Sequence, residues 1–553
     1  MDIEFTVYEL LRATKSTWST SRTTLVVEIR PLTAAKSATD REDEDDVLSE
    51  LKKDYKRTID AARKRKSPSV TTKSTNYSDL QREAPVLDGR YPAGYGPTAA
   101  PPVELYHPVF ARFLANASKA DLDVPDDVVR QTARIMEAAS LIVTHEAYCE
   151  RSIRRLLADL LGYGVNQIAN HHKTSVNHIA AISRDKQPAE LAALVIAEEK
   201  SELGWLGDPS VEGPLSYLAF WSDSSRDRLR DLSCCPSFVV GIAGPWLVIL
   251  GCVCTSSVIA QRLTDYMWIG NSRVIDDAIP LRLARRFYAL RLAVNELRDY
   301  YIALSIDIDR SLRFFPSVMS YTKNNATFNF RYVKPLESDK GCVTFLADQL
   351  PLARDTEGGA PVNEEEQQEH SQSLGRDEDD FKDDDNDESE DGRRVVVKFV
   401  ERYGREAHRV LASHGLAPKL FFYGPISKDS TLCYGDRRLV VMEYIEGESL
   451  YDAYVRKGKP VPKKVRERIH DTIKILQGQE VPLVHGDIRE TNIIIENRPG
   501  RPEDRLKIID FDWAGEENVV RYPLHLAIAG RPDGVEDYGL IKCEHDTKMV
   551  EKL

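Results

Sequence analysis

Two long parts of the chain carry the apolar and polar patterning that predicts packed secondary structure. Between residues 104 and 305, amphipathic stretches run through Val128 and Ile135 to Leu161 with apolar side chains at helical spacing. Short β-rich runs follow, VNHIAAIS and ELAALVIAEEK, and a further helical stretch covers 280–304. The pattern predicts one α/β domain over 104–305.

The most apolar stretch of the chain, from Phe238 to Cys254, has two interpretations. It is 17 residues long, whereas a membrane-spanning helix needs about 20 apolar residues. Glycines and a proline interrupt it, and β-branched runs stand on both sides of Gly244-Pro245. Because such runs around a Gly-Pro turn are typical of a hairpin, we predict two buried strands, FVVGIAG and WLVILGCVC, rather than a membrane helix.

A second α/β unit is predicted over 328–553. Its strand-like runs are CVTFLADQL, RRVVVKFV and LVVMEYIEGESL, and its helical patterns are YGREAHRVLASHG and KKVRERIHDTIKILQG. An acidic run interrupts this unit, since 15 acids and two bases stand between Asn363 and Gly392. Like charges at that density repel each other and do not form a core. We therefore predict a disordered acidic insert over 353–393, between two strands.

Charge and composition bear on the class of partner, the cellular compartment and the role of the N-terminal residues. The formal net charge of −13 equals the charge balance of the acidic run, so the rest of the chain is close to neutral and favours no class of partner. Eight cysteines in 553 residues are too few for a disulfide scaffold. The acidic N-terminus does not fit a signal peptide, which indicates an intracellular protein, cytoplasmic or nuclear. We interpret 1–66 as a charged N-terminal segment and 67–103, rich in Ser, Thr, Pro and Gly, as a linker.

The C-terminal unit carries the strongest candidate chemistry. Asp487 and Asn492 stand five residues apart on a predicted loop, and Asp510 ends a predicted buried strand. Carboxylate and amide oxygens that converge from loop ends suit Mg²⁺, which usually completes its shell with water and phosphates. Lys398 lies on an otherwise apolar strand and needs an anion, and Glu406 in the following helix is the candidate partner.

These motifs resemble the protein-kinase-like superfamily. HGDIRETN resembles the catalytic loop HRDLKPEN, IIDFDW resembles the DFG segment, and VVVKF with REAH resembles the strand Lys and helix Glu of kinases. The resemblance covers 328–553. Within it, the chain is similar to small atypical kinases and to kinase-like domains of basidiomycete fungi. It implies a two-lobed kinase-like domain with a truncated C-terminal lobe, ATP and Mg²⁺ as cofactors, and a protein substrate.

The resemblance implies a role in nucleotide binding for five residues. Lys398 would bind the α- and β-phosphates and pair with Glu406. Met442 would be the gatekeeper residue beside the adenine pocket. The backbone of Glu443 and Ile445 would hold the adenine ring.

The same resemblance implies the catalytic roles. Asp487 would accept the proton of the attacking hydroxyl, Arg489 would contact the transferred phosphoryl group, and Asn492 and Asp510 would bind Mg²⁺. No GxGxxG loop precedes CVTFLADQL, and Asp512 stands in place of the flexible Gly of DFG. A pseudokinase scaffold that binds nucleotide without phosphoryl transfer is therefore the alternative to an active Ser/Thr protein kinase.

The middle domain offers a second resemblance. ELAALVIAEEK ends with Glu198 and Lys200, and a Glu-x-Lys pair at a strand end resembles the PD-(D/E)xK restriction-endonuclease-like fold. The resemblance implies that Glu198 binds a metal ion, that Lys200 steadies the attacking water, and that Glu212 lies on the following helix. The Asp expected on the preceding strand is missing, because VNHIAAIS offers only Asn177 and His178. A surface ion pair is the alternative to a nuclease-like, DNA-binding domain.

Four cysteines of the middle domain raise the question of a zinc site: Cys234, Cys235, Cys252 and Cys254. Tetrahedral zinc sites prefer CxxC-like spacings, which the CC and CxC pairs do not match. Free cysteine behaves as a small apolar side chain and is commonly buried. We predict that these four residues are buried free thiols.

Overall fold

The computed structural model describes residues 39–96, 98–141, 146–169, 175–183, 191–200, 202–204, 207–271, 277–337, 339–351, 392–524, 526 and 531–553. In these residues the protein is a mixed α/β structure with several β-sheets and more than one hydrophobic core. Among the helices described, none combines the length and apolar character needed to cross a membrane.

The first part of the chain forms a mixed sheet with helices packed against it. The helices are α1 (Thr39–Arg63), α2 (Pro68–Thr71), α3 (Ser74–Glu83), α4 (Val103–Tyr106), α5 (Pro108–Ser118), α6 (Asp126–Ala139), α7 (Glu146–Leu161), α8 (Pro209–Trp221), α9 (Asp227–Leu232) and α10 (Ala278–Ala303). The strands are β1 (Val86–Leu87), β2 (Val165–Ala169), β3 (Ser175–Ser183), β4 (Leu191–Lys200), β5 (Ser237–Ala243), β6 (Trp246–Cys254), β7 (Val258–Arg262) and β8 (Met267–Trp268).

The order of strands in this sheet is β1-β7-β6-β5-β4-β3-β2, with β8 beside β6. β1 runs parallel to β7 and β4 runs parallel to β5, whereas the other neighbours are antiparallel. The central strands β4, β5 and β6 are almost continuously buried, which matches their long apolar runs because helices cover the sheet.

Several predictions for this part are confirmed. VNHIAAIS and ELAALVIAEEK form β3 and β4, and the predicted hairpin is the antiparallel pair β5–β6. Gly244 turns this hairpin with φ of +55°, a conformation that glycine adopts without steric cost. Cys234, Cys235, Cys252 and Cys254 are free thiols that are buried in the core, as predicted.

The linker predicted over 67–103 differs from the structure. Helices α2 and α3, strand β1 and helix α4 lie in this segment or at its end, and Val86 pairs with Val258 in the parallel ladder between β1 and β7. Tyr77 and Leu80 are buried in the same core as the sheet. The prediction failed because a few apolar anchors, spaced for a short helix, stand among many Ser, Thr, Pro and Gly residues.

The second part contains a six-stranded antiparallel sheet, two small sheets and several helices. The six-stranded sheet has the order β13-β14-β12-β11-β10-β9, and two small sheets have the orders β15-β17-β18 and β16-β19. The strands are β9 (Ser320–Lys323), β10 (Ala326–Pro335), β11 (Thr344–Gln349), β12 (Arg394–Val400), β13 (Leu420–Pro425), β14 (Arg438–Glu443), β15 (Gly447–Ser449), β16 (Leu483–Val484), β17 (Ile493–Glu496), β18 (Leu506–Ile508) and β19 (Gly515–Glu516). The helices are α11 (Arg405–Ser413), α12 (Lys463–Gln477) and α13 (Cys543–Lys552).

The acidic run connects two neighbouring strands of the six-stranded sheet. β11 and β12 pair antiparallel from Thr344↔Lys398 to Asp348↔Arg394. The prediction that the run lies between two strands is therefore confirmed. Most of the predicted insert itself lies outside the described residues.

Candidate functional site

A cleft lies between the six-stranded sheet and the β15-β17-β18 sheet. Both sheets line it, and apolar side chains predominate among the lining residues. Five of the residues singled out in the sequence belong to this lining: Lys398, Met442, Glu443, Ile445 and Asp510. The other lining residues are Leu336, Glu337, Thr344, Val396, Pro418, Tyr444, Ile494 and Ile509.

The connection from β14 to β15 forms one wall of the cleft. Met442 packs in a small apolar cluster with Val396 of the neighbouring strand. Glu443 is fixed at two points, because its backbone N–H donates to the Lys419 carbonyl at 2.9 Å and its carboxylate accepts from the Lys419 N–H at 3.0 Å. Within the described chain, the backbone N–H of Ile445 has no hydrogen-bond partner. A ligand in the cleft can therefore accept a hydrogen bond from Ile445.

Lys398 is the only lysine among the described residues that line the cleft, and it faces several carboxyl groups. Only 4% of Lys398 is exposed, and its ammonium group donates to Asp510 at 2.6 Å and to Asp512 at 2.7 Å. Glu337 follows β10, accepts a hydrogen bond from the Thr344 hydroxyl, and lies close enough for its charge to act on Lys398. The buried ammonium group of Lys398 thus interacts electrostatically with three acidic side chains.

The structure does not bring Glu406 to Lys398, in contrast to the predicted ion pair. Glu406 lies in the first turn of α11 and is exposed, whereas the buried face of that helix is formed by other residues. The start of α11 is fixed by Gly404, whose N–H donates to the Phe511 carbonyl at 2.8 Å. A Cβ atom at Gly404 would stand 2.5 Å from the Cβ of Ala514. With α11 held in this position, Asp512 takes the place beside Lys398 that the sequence assigned to Glu406.

The DFD segment has a strained backbone and a buried aromatic anchor. Asp510 has φ of +70°, a left-handed conformation that costs energy for a residue other than glycine and is often found at functional sites. Phe511 is fully buried. Its ring stacks on His408 at 4.5 Å between centroids and meets His485 edge-on at 5.1 Å. This packing holds the two flanking aspartates in position against Lys398.

The charges in this cluster shift one another's pKa. Burial disfavours charge on Lys398, but the Asp510 and Asp512 carboxylates outweigh it and raise the Lys398 pKa well above its usual value. Burial raises the Asp510 pKa, but Lys398 outweighs it and the net pKa is lowered. For Asp512, burial together with the neighbouring Asp510 carboxylate prevails over Lys398 and raises the pKa to about 7. The structure therefore keeps Asp510 ionised and leaves Asp512 titratable near neutrality.

The HGDIRETN loop places Asp487 in a polar cage. The Asp487 carboxylate is almost fully buried. Its Oδ2 accepts a hydrogen bond from the Asn492 amide at 2.9 Å and lies 3.2 Å from a guanidinium nitrogen of Arg489. Its Oδ1 accepts from Arg531 at 2.7 Å. Asp487, Arg489 and Asn492 thus lie in contact within this loop, and Arg531 joins them from a distant part of the chain.

A buried carboxylate on α13 holds the backbone of this loop. Asp546 is fully buried, and its two oxygens accept hydrogen bonds from the backbone N–H groups of His485 at 2.6 Å and Gly486 at 2.8 Å. Burial raises the Asp546 pKa to about 7, against the lowering effect of these two hydrogen bonds. Gly486 has φ of +79°, and a Cβ there would stand 2.9 Å from Ile541. This explains why glycine follows His485 in the motif.

The two residues predicted to hold Mg²⁺ lie at one end of a hairpin. β17 and β18 pair antiparallel with Ile493 opposite Ile508, and the Ile509 N–H donates to the Asn492 carbonyl at 3.0 Å. Asp510 is the next residue. In the part of the chain that the structure describes, no three His, Cys, Asp or Glu side chains form a metal-binding group. An amide oxygen and a carboxylate fit Mg²⁺ that is bound through one or two protein groups and completes its shell with phosphates and water.

A second charged cluster lies in the middle domain, at the end of β4. The Lys200 ammonium is 2.8 Å from Glu212 on α8 and 3.5 Å from Glu198 on β4. Glu198 is fully buried and accepts a hydrogen bond from Ser216 at 3.2 Å. Burial lowers the Lys200 pKa, but the two carboxylates outweigh it and raise the pKa overall. The pair is therefore largely buried, in contrast to the surface ion pair weighed as the alternative, and Glu212 on α8 joins it.

Four residues without a predicted role contact or influence the candidate site residues or their backbone: Glu337, Asp512, Arg531 and Asp546. Asp512 was visible as the second acid of DFD, but its contact with Lys398 was not predicted. Glu337 follows a strand without any motif around it. Arg531 contacts Asp487, 44 positions away in the sequence. Asp546 contacts the backbone of His485 and Gly486, 61 and 60 positions away. No local pattern marks either residue.

The chain has no match among protein-family models, and none among the curated proteins. The chemistry of the cleft is therefore the basis of the functional proposal.

Proposed function

We propose that the protein is an ATP- and Mg²⁺-dependent phosphotransferase, a Ser/Thr protein kinase, with a two-lobed kinase-like domain over 328–553. The observation that carries this proposal is the contact between Lys398 and Asp510 at 2.6 Å in a largely apolar cleft. In enzymes of phosphoryl transfer, a lysine contacts the nucleotide phosphates, and a nearby aspartate holds the metal ion that binds the same phosphates. Lys398 and Asp510 are suited to these two roles.

The nucleotide would lie along the cleft. The apolar lining suits the adenine ring, and Ile445 has a backbone N–H group available to a ring nitrogen. Met442 would limit the depth of the adenine pocket. The ammonium group of Lys398 supplies the charge that the α- and β-phosphates need, and its raised pKa keeps that charge at neutral pH.

Asn492 and Asp510 would hold Mg²⁺, which when bound neutralises phosphate charge. Asp487 would accept the proton of the acceptor hydroxyl as the hydroxyl oxygen attacks the γ-phosphorus. Arg489, at 3.2 Å from Asp487, would contact the transferred phosphoryl group. Asp546 contributes by fixing the backbone that carries Asp487, so it is a positioning residue.

Nucleotide binding and phosphoryl transfer test this proposal separately. We expect Mg²⁺ with ATP to raise the thermal unfolding temperature of the wild type, and Lys398→Met to abolish that shift. Asp487→Asn should retain the shift but abolish transfer of radiolabelled phosphate, and Asp504→Asn, an exposed acid of the same domain, should retain both. A wild type with the shift but without transfer would be a pseudokinase scaffold. A wild type without any Mg²⁺-dependent nucleotide binding would exclude both the active kinase and the pseudokinase scaffold.

A second candidate function follows from the middle domain. We infer a nuclease-like, DNA-binding activity over 104–305 because Lys200 lies between two buried carboxylates, Glu198 and Glu212, at the end of a central strand. Two acidic residues with a lysine suit a divalent metal and an activated water. DNA cleavage with Mg²⁺ or Mn²⁺ should vanish in Lys200→Ala and persist in Lys119→Ala, which alters an exposed lysine. Cleavage that survives Lys200→Ala would contradict this assignment.

A further inference from the structure

Arg531 binds the carboxylate that the proposed reaction needs as its base. Its guanidinium donates to Asp487 Oδ1 at 2.7 Å. The other oxygen, Oδ2, already accepts from Asn492 at 2.9 Å and lies 3.2 Å from Arg489. An acceptor hydroxyl that approaches Asp487 therefore meets the guanidinium of Arg531 at the same oxygen.

The structure holds Arg531 firmly in this place. Only 11% of its side chain is exposed, and its guanidinium lies over the ring of Trp513 at 4.9 Å. The ammonium group of Lys552, on α13, donates to the backbone carbonyl of Arg531 at 2.7 Å. A guanidinium with so little access to water needs an anionic partner, because removing one partner of a buried ion pair is costly.

We infer that Arg531 is a specificity residue that binds an anionic group beside the acceptor hydroxyl, and that the acceptor is Ser or Thr flanked by acidic side chains. This inference rests on the proposed kinase function. When the substrate hydroxyl takes the place of Arg531 at Asp487 Oδ1, a neighbouring substrate carboxylate gives the guanidinium a new counter-ion. A neutral acceptor leaves the guanidinium buried and unpaired, which costs binding energy.

Arg531 does not change which bonds form and break in the transfer step. The hydroxyl oxygen forms a bond to the γ-phosphorus, and the bond from the γ-phosphorus to the oxygen of the β-phosphate breaks. The hydroxyl proton passes to Asp487, and ADP leaves. Arg531 acts only on the recognition of the acceptor.

Matched peptides test the inference. Three fluorescent peptides carry one Ser flanked on both sides by Glu, by Gln or by Lys, and are otherwise identical. Their binding to the full chain is measured by anisotropy, and their phosphorylation is measured with radiolabelled ATP and Mg²⁺. The variants are Arg531→Gln, Arg531→Lys and the control Arg521→Gln, which alters an exposed arginine stacked on Tyr538.

We expect the wild type and Arg521→Gln to bind the Glu peptide roughly tenfold more tightly than the Gln peptide, the effect of one charge-assisted hydrogen bond. Arg531→Gln should lose this preference through KM rather than kcat, and Arg531→Lys should keep part of it, which also shows that the site folds. Equal binding of the Glu and Gln peptides by the wild type would overturn the inference while leaving kinase activity intact. Arg531-dependent binding of the Glu peptide without phosphorylation would support the inference and refute the proposed activity. An equal fall of kcat for all peptides in Arg531→Gln would show a positioning role instead and overturn it.

Discussion

Replacement of Lys398 by methionine tests whether its ion pairs with Asp510 and Asp512 stabilise this part of the chain. Met has a similar length and no charge, so Lys398→Met leaves Asp510 and Asp512 facing each other without the ammonium group that now lies 2.6 and 2.7 Å from them. Removing one partner of a buried ion pair typically costs about 3–5 kcal/mol. Because Glu337 adds a third acidic group near this position, we expect a loss of unfolding free energy in that range near neutral pH.

The cost should depend on pH in a defined direction. The pKa of Asp512 is already raised to about 7, and loss of the lysine removes the charge that opposes this rise. Protonation of Asp512 relieves the repulsion, so the penalty of Lys398→Met should be largest at about pH 8 and smaller at about pH 5. Adding Asp512→Asn to Lys398→Met should recover part of the lost stability at the higher pH.

The assay must report on this part of the chain alone, because a protein with more than one core does not unfold in a single step. Hydrogen–deuterium exchange of peptides that cover β12 and β18, followed over a urea series, gives the local unfolding free energy. Glu406→Gln is the matched control, since Glu406 is exposed and its loss should change stability by less than about 0.5 kcal/mol. Equal losses in Lys398→Met and Glu406→Gln, or a Lys398→Met penalty independent of pH, would contradict a stabilising role for these ion pairs.

Three further outcomes are expected. Asp546→Asn should lower the local unfolding free energy by about 1–3 kcal/mol in the same exchange measurement, because its amide nitrogen cannot accept from a buried backbone N–H, whereas Glu544→Gln, at an exposed neighbour, should have no measurable effect. Phe511→Ala should cost about 3–5 kcal/mol through the cavity between two histidine rings, and a loss below about 1 kcal/mol would contradict the stacking described. The pKa of Asp512 is raised to about 7 in the folded state, so the stability that Asp512 contributes is full below about pH 4 and is lost as the pH rises towards 7. Asp512→Asn should therefore flatten the dependence of the unfolding free energy on pH. An unchanged pH dependence would count against the raised pKa of Asp512.

Local patterns in the sequence predicted the elements that carry the cleft. The alternation and β-branching of RRVVVKFV and LVVMEYIEGESL predicted the strands that became β12 and β14, and the Gly-Pro turn predicted the β5–β6 hairpin. These predictions succeeded because strand and turn formation depend on neighbouring residues. The linker prediction over 67–103 failed for the opposite reason, since Val86 and Leu87 form a strand only through pairing with β7.

The order and spacing of Lys398, Asp487, Asn492 and Asp510 can be read along the chain, and they indicate the kind of chemistry to look for. The pairing of Lys398 with Asp510 and Asp512, which lie 112 and 114 positions away, and the exposure of Glu406 depend on the folded chain. A buried charge is stabilised by whichever opposite charge the packing of distant segments brings within reach. The fit of Gly404 against Ala514, which holds the start of α11 in place, is a property of that packing and leaves no trace in any local pattern.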